Sequence, residues 1–348
     1  MEIWQQQLKE SITSPAELAR RFELDPVETD RVASRYPLRI TPYYLDLVRE
    51  AGDPIWRQCV PDAAELAADE DLADPLDEEV LSPVPAIVHR YPDRVLFLVS
   101  GTCATYCRFC TRKRKVGCPS MRVSFHEVLD GIAYIARNPK VRDVLLSGGD
   151  PLMMSDLLLE DILGRLRAIP HVEIIRIGTR MPVTLPDRIT DGLCKVLRRF
   201  APLYLNTHFN HPRELTPAAA EACRRLADAG VVLGNQTVLL KGVNDDAEVM
   251  TELFRGLLRL RVRPYYLHQM DLVSGTRHFR TRVEEGIDIL KALRGQVSGL
   301  AIPHYVIDLP GGKGKVPIVP QAVEKMGDEI LIRTAEGELV RFPNGACG

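Results

Sequence analysis

Residues 101–117 read GTCATYCRFCTRKRKVG and place three cysteines, Cys103, Cys107 and Cys110, inside eight residues as C-x3-C-x2-C. Iron–sulfur clusters usually take four thiolates, and closed structural zinc sites also use four ligands. Three thiolates from one short loop leave one iron of a four-iron cubane open to a substrate or cofactor. The competing chemistry is a three-cysteine zinc site completed by a distant ligand such as His89. A second stretch, SGGDP, carries Ser147, Gly148, Gly149 and Asp150. Adjacent glycines at a strand end let backbone approach a ligand without interference from Cβ atoms. The basic run TRKRK (111–115) after the cysteines supplies anion contacts inside a site rather than a nucleic-acid patch, because the chain as a whole is near neutral.

These groups need elements to hold them. Apolar, β-rich runs occur at 94–101, 143–150, 173–180, 203–209, 231–240 and 263–270, separated by stretches with helical spacing. From the second run onward the interval is roughly thirty residues, the size of βα units joined by right-handed crossovers. The pattern predicts an α/β fold, a partial (β/α)6 barrel, with YVIDLP (305–310) as a further short strand. In such barrels reactive groups gather on the loops leaving the C-terminal ends of the strands. The cysteines follow the first strand, SGGDP the second, and Gln236, His268 and Asp271 lie at the ends of later ones, so one mouth is expected. Residues 1–90 predict a helical region whose acidic segment 61–80 reads as a solvated face, 91–300 the barrel, and 301–348 a C-terminal segment ending in a β-hairpin over 328–342.

Composition excludes other classes. Forty-five basic against 47 acidic residues give a net charge of -2, which predicts no general attraction to nucleic acid or membrane. The N-terminus has no signal-peptide pattern and no long apolar run occurs, so a cytoplasmic protein is expected. In a reducing compartment a tight cysteine cluster means metal or catalysis, while the scattered Cys59, Cys194 and Cys223 read as ordinary core or surface residues.

The cysteine spacing after the first strand resembles the radical SAM superfamily, in which a GGD-like segment contacts the amino group of S-adenosylmethionine. The stretches YCRFCTRKRKVG, SPVPAIVHRYPDRVLFL, LNTHFNHPREL, LADAGVVLGNQTVLLKGVND, RVRPYYLHQMDL and VIDLPGGKGKVP are together similar to the lysine 2,3-aminomutase family, over residues 35–342. The resemblance implies a 4Fe-4S cluster on the three cysteines, S-adenosylmethionine and pyridoxal 5'-phosphate. It implies migration of an amino group between adjacent carbons of a free amino acid. Lys315, in the Gly-rich DLPGGKGKVP, then matches the Schiff-base lysine, with Lys313 as the competing candidate. By the same resemblance Arg90, Tyr91 and Arg94 hold the ring and phosphate, Gln236 is a further cofactor contact, and Arg112 pairs with the substrate carboxylate. Asp271 and Asp308 match the carboxylates that grip a distal ammonium, and they repel one another unless a cation lies between them.

L-lysine is therefore the leading substrate. Arginine, or a lysyl group or β-lysine destined for a translation factor, are the alternatives. The resemblance further implies an external electron donor such as flavodoxin or ferredoxin, and a homo-oligomer. One departure stands out: larger members bind zinc with a C-terminal cysteine-rich segment and a cysteine in the loop after LLKGVND, where this chain has Asp246 and nothing after Cys347 but one glycine, so no zinc is expected.

Overall fold

The structure is a computed structural model that describes residues 2–67, 71–319, 322–325, 329–334 and 337–343. A nine-stranded sheet runs in chain order through β1 (Ile87–Tyr91), β2 (Arg94–Ser100), β3 (Asp143–Gly148), β4 (Ile174–Gly178), β5 (Leu203–Thr207), β6 (Val232–Leu239), β7 (Arg263–Gln269), β8 (His304–Leu309) and β9 (Gly314–Pro317). Strands β2 to β8 pair parallel, each with the next. This is the expected partial barrel, and YVIDLP does supply its last parallel strand. Both edges end in antiparallel hairpins, β1 on β2 and β9 on β8. The sequence pattern left both outer strands out. β1 lies in the Pro-flanked HRYPDR region and runs across residue 90, and β9 has only four residues, too few to show alternation.

Crossover helices pack on the outside, and their starts are fixed by side-chain caps. Ser124 caps Phe125–Arg137 with Glu127 completing the reciprocal pair, and Ser155, Thr190 and Thr216 cap the next three. Asp246 caps Ala247–Arg259, accepting from the amides of Glu248 and Val249 at 2.8 and 3.0 Å. Alternation along each strand decides what faces which way. On β6, Leu233 and Leu239 are buried in the outer core, while Gln236 and Val238 face a central cavity. The N-terminal helices pack on the same core through Trp4, Leu18, Tyr44 and Trp56, and Cys59, Cys194 and Cys223 sit in it as expected.

The acidic segment departs from its expected solvated role. Glu65 and Glu78 are buried, and Asp74 and Glu79 pair with Arg114, with Glu79 also reaching Lys115. The segment neutralises the TRKRK run, because burying those cations unpaired would cost far more than a surface pairing returns. Beyond the barrel, β10 (Val323–Lys325), β11 (Glu329–Arg333) and β12 (Leu339–Pro343) form a three-stranded antiparallel sheet. Its β11–β12 pair is the expected hairpin, with one strand added; Glu336, like Cys347, lies outside the described residues.

Candidate active site

A cavity of about 570 Å³ fills the barrel mouth, and apart from the competing candidates His89 and Lys313 every residue singled out above as a site residue lines it. The cysteine loop, the SGGDP turn, Gln236, His268 and Asp271 therefore meet, as the sequence pattern implied, and the β8–β9 hairpin joins them there. His89, the possible fourth zinc ligand, does not line it and bonds Tyr134 through Nδ1 at 2.7 Å.

The glycines of SGGDP have a reason beyond ligand access. Gly148 has φ +115°, and a Cβ there would stand 2.3 Å from the Ser100 carbonyl oxygen. A Cβ on Gly149 would stand 2.4 Å from that of Thr102. The Gly149 and Asp150 amides donate to those same carbonyls at 2.6 and 2.8 Å, so the turn is stitched to the segment entering the cysteine loop. The Asp150 carboxylate accepts from Thr179 Oγ1 at 2.7 Å and from the Arg180 and Leu152 amides at 2.8 and 2.9 Å. Its oxygens are thus used within the chain, and what the turn offers a ligand is backbone.

Two charged groups line the cavity. At the first, Arg112 gives its Nε and Nη2 to Glu78 at 2.8 and 2.5 Å, while Nη1 makes long contacts of 3.4 and 3.3 Å to Ser147 Oγ and the Gly148 carbonyl. Burial works against the Glu78 charge, but Arg112 outweighs it and holds the carboxyl below its ordinary range. Glu78 fixes one edge of the guanidinium and leaves the other weakly occupied; of the TRKRK run, Thr111 and Arg112 line this cavity. At the second, Asp308 accepts from Arg90 Nη1 at 3.2 Å and from the Lys315 ammonium. His268 lies 3.7 Å from the same carboxylate, and burial, then Lys315, keeps it neutral by holding its pKa well below the ordinary value. Asp271 accepts from Thr111 Oγ1 at 2.9 Å; burial and then the nearby Asp308 push its carboxyl up to about 6.

Lys315 faces Asp308 across the β8–β9 ladder, and its amide donates to the Tyr91 hydroxyl at 2.9 Å. Gly314 (φ +95°) makes room: a Cβ would stand 3.0 Å from that hydroxyl. Arg94 stacks over the Tyr91 ring at 4.6 Å and pairs with Asp93. Lys313 does not line the cavity.

The residues fit the implied cofactors. Burial pushes the Cys103 thiol well up and the Cys110 thiol to about 11, so both favour the protonated form until a metal centre binds the sulfur and displaces the proton. Among the described residues no three Cys, His, Asp or Glu side chains converge on a single ion, and thiolates that hold a multi-iron cluster stand further apart than ligands of one ion. Arg90 Nε, Asn206 Nδ2 and His208 Nε2 are buried without partners, and all three residues line the cavity. Buried polar atoms left unpaired mark places where a ligand completes the hydrogen bonding. Glu78, Thr111, Asn206 and His208 were not found from sequence, because no spacing or composition signal sets them apart.

A model of the radical SAM superfamily matches residues 97–254, and one of lysine-2,3-aminomutase matches residues 290–346. Barrel, cysteine loop and match together define a radical SAM enzyme. L-lysine 2,3-aminomutases from Fusobacterium nucleatum subsp. nucleatum and Clostridium subterminale are 49% and 48% identical to the chain over 346 residues, covering 97% of it and 81% and 83% of those proteins. A glutamate 2,3-aminomutase from Clostridioides difficile is 44% identical over 342 residues, covering 97% of the chain and 81% of that protein. The chain belongs to the lysine 2,3-aminomutase family. It is accordingly an isomerase that works with a 4Fe-4S cluster, S-adenosylmethionine and pyridoxal phosphate. No helix among the described residues is long and apolar enough to cross a membrane.

Proposed function

We propose that the chain converts free L-lysine to β-lysine, moving the α-amino group to the neighbouring carbon. The observation that carries the choice of substrate is the anionic end of the cavity. Asp271 is pushed up to about 6 by burial and by Asp308, and among the described residues its carboxylate has the Thr111 hydroxyl but no ion-pair partner, so a cation brought by the substrate favours its ionised form. That end selects a basic side chain and opposes glutamate, the substrate named for one relative.

The bound cofactors supply a carbon radical that abstracts hydrogen and a conjugated ring over which the unpaired electron spreads. Cys103, Cys107 and Cys110 would hold the cluster, and the backbone of residues 147–150 with Gln236 the adenosylmethionine. Lys315 would attach the pyridoxal carbonyl, with Tyr91 holding its backbone and Arg90 and Arg94 beside the ring and phosphate. Once Lys315 is committed to the cofactor, Asp308 loses the ammonium that it now holds, and a substrate ammonium takes that place. Arg112 offers its weakly occupied edge to the substrate carboxylate, a task suited to a planar fork. The apolar outer core keeps water from the barrel wall. An external one-electron donor of the flavodoxin or ferredoxin kind, a cytoplasmic setting, a homo-oligomeric state and the three-part division at residues 90 and 300 belong to the same reading.

Reconstituted enzyme incubated separately with lysine, arginine, glutamate and alanine tests it. Lysine turnover is expected to dominate. Preferred turnover of glutamate or alanine overturns the two-carboxylate argument, while preference for arginine corrects only the choice of cation.

A further inference from the structure

Arg180 follows β4 and lines the cavity, yet the reaction as described gives it no task. Its Nη1 donates to the sulfur of Cys107 at 2.9 Å. The rest of the guanidinium is caged. Nε donates to the His208 carbonyl at 3.1 Å, and Nη2 faces Gln58 Oε1 at 2.5 Å, Glu214 Oε1 at 2.7 Å and the Tyr44 hydroxyl at 3.0 Å. The Phe109 ring lies 5.2 Å from its centre. The Glu214 side chain is fully buried and that of Arg180 nearly so. Most of this cage comes from outside the cysteine loop, so the donor's position is set independently of the ligand it touches. That arrangement exceeds what packing needs: a structural arginine could spend all its donors on the cage, and this one turns a charged donor onto a cluster ligand.

We propose that Arg180 is a positioning residue for the iron–sulfur cluster that raises its reduction potential through Cys107, with Glu214 as the counter-charge that limits the effect. A cationic donor on a ligand sulfur draws electron density from it and favours the reduced cluster, which carries one more negative charge. The electron comes from the external one-electron donor, and no bond is made or broken. The inference rests on Cys107 being a cluster ligand and is independent of which amino acid is the substrate.

The test is a potentiometric titration of reconstituted holoprotein without amino acid, followed by the EPR signal of the reduced cluster, with iron and sulfide measured alongside. Arg180→Gln is expected to keep its iron and to shift the reduction equilibrium about tenfold toward the oxidised cluster, about 59 mV lower for one electron. Arg180→Lys is expected to restore part of the shift. Glu214→Gln, which leaves the arginine with less counter-charge, is expected to move the potential upward. Opposite signs for the two substitutions are what a purely structural role would not produce. Potentials unchanged in both, or lowered in both, overturn the proposal. Where Arg180→Gln gives no soluble holoprotein, Glu214→Gln decides alone, and an unchanged or lowered potential overturns it. A protein that binds the cluster but does not act on lysine would leave this proposal standing and refute only the substrate reading.

Discussion

Two triads of the same composition, one outside the cavity and one lining it, each set one carboxylate between an arginine and a lysine. Glu65 holds Arg108 and Lys113; Asp308 holds Arg90 and Lys315. In the first, every donor nitrogen has a partner: Arg108 also reaches the Pro37 carbonyl at 3.0 Å, and Lys113 the Arg108 and Gly275 carbonyls at 2.9 and 2.8 Å. Its side chains are at most 3% exposed. In the second, Arg90 Nε has no partner, and Asp308 is the one hydrogen-bond acceptor of the Lys315 ammonium among the described residues, with that side chain 31% exposed. A saturated triad fastens the acidic segment beneath the cysteine loop. An unsaturated one keeps capacity for a ligand. Residue type does not separate the two; the count of unspent donors does.

The comparison predicts that substitutions in the two triads fail in different ways. The largest effect is on chemistry: Lys315→Ala is expected to abolish both turnover and the borohydride-trapped adduct with pyridoxal phosphate while iron content stays at the wild-type level. If Lys313→Ala alone abolishes trapping, the lysine has been misassigned. Next is stability. Glu65→Ala strands two buried cations and is expected to cost about 3–5 kcal/mol in chemical denaturation. Asp308→Ala should lose most turnover with a much smaller change in stability, and equal destabilisation by the two would erase the distinction between the triads.

The smallest effect is the pH response of the unsaturated end. The Asp271 carboxyl, raised from 3.8 to about 6 by burial and by Asp308, must shed its proton before it can pair with an ammonium. Affinity for lysine, read from the spectral change on binding, is therefore expected to be full above pH 6 and to fall about tenfold per unit below it. Folding stability runs the opposite way: a raised carboxyl favours the folded state below pH 3.8, and that contribution is lost as pH rises through about 6. Asp271→Asn should flatten the binding profile, and a slope that survives this substitution assigns the titration elsewhere.

The sequence carried the parts of the site whose logic is local. Cys103, Cys107 and Cys110 share one loop and Gly148 and Gly149 one turn, so spacing was enough to mark them, whereas Lys315 was singled out from Lys313 by the family resemblance. The parallel strands were legible because apolar, β-branched runs recur at βα intervals. What escaped was pairing across distance. Glu78 meets Arg112 across 34 residues and Thr111 meets Asp271 across 160, and nothing about an isolated glutamate or threonine announces such a partner. The acidic segment was misread for the same reason, since a charge run and its neutralising partner are invisible to each other in one dimension.

The hydrogen bond from the Lys315 amide to the Tyr91 hydroxyl joins the first strand of the sheet to the last, 224 residues apart. In the order in which a ribosome delivers the chain, the cysteines, SGGDP and Arg112 all emerge well before Lys315. Closing so long a loop carries a large entropic cost and is slow relative to local pairing. On the proposed assignments, the cluster pocket can therefore take shape on a nascent barrel before Lys315 is there for pyridoxal phosphate, and the two cofactor chemistries meet only when the β8–β9 hairpin folds back onto Tyr91.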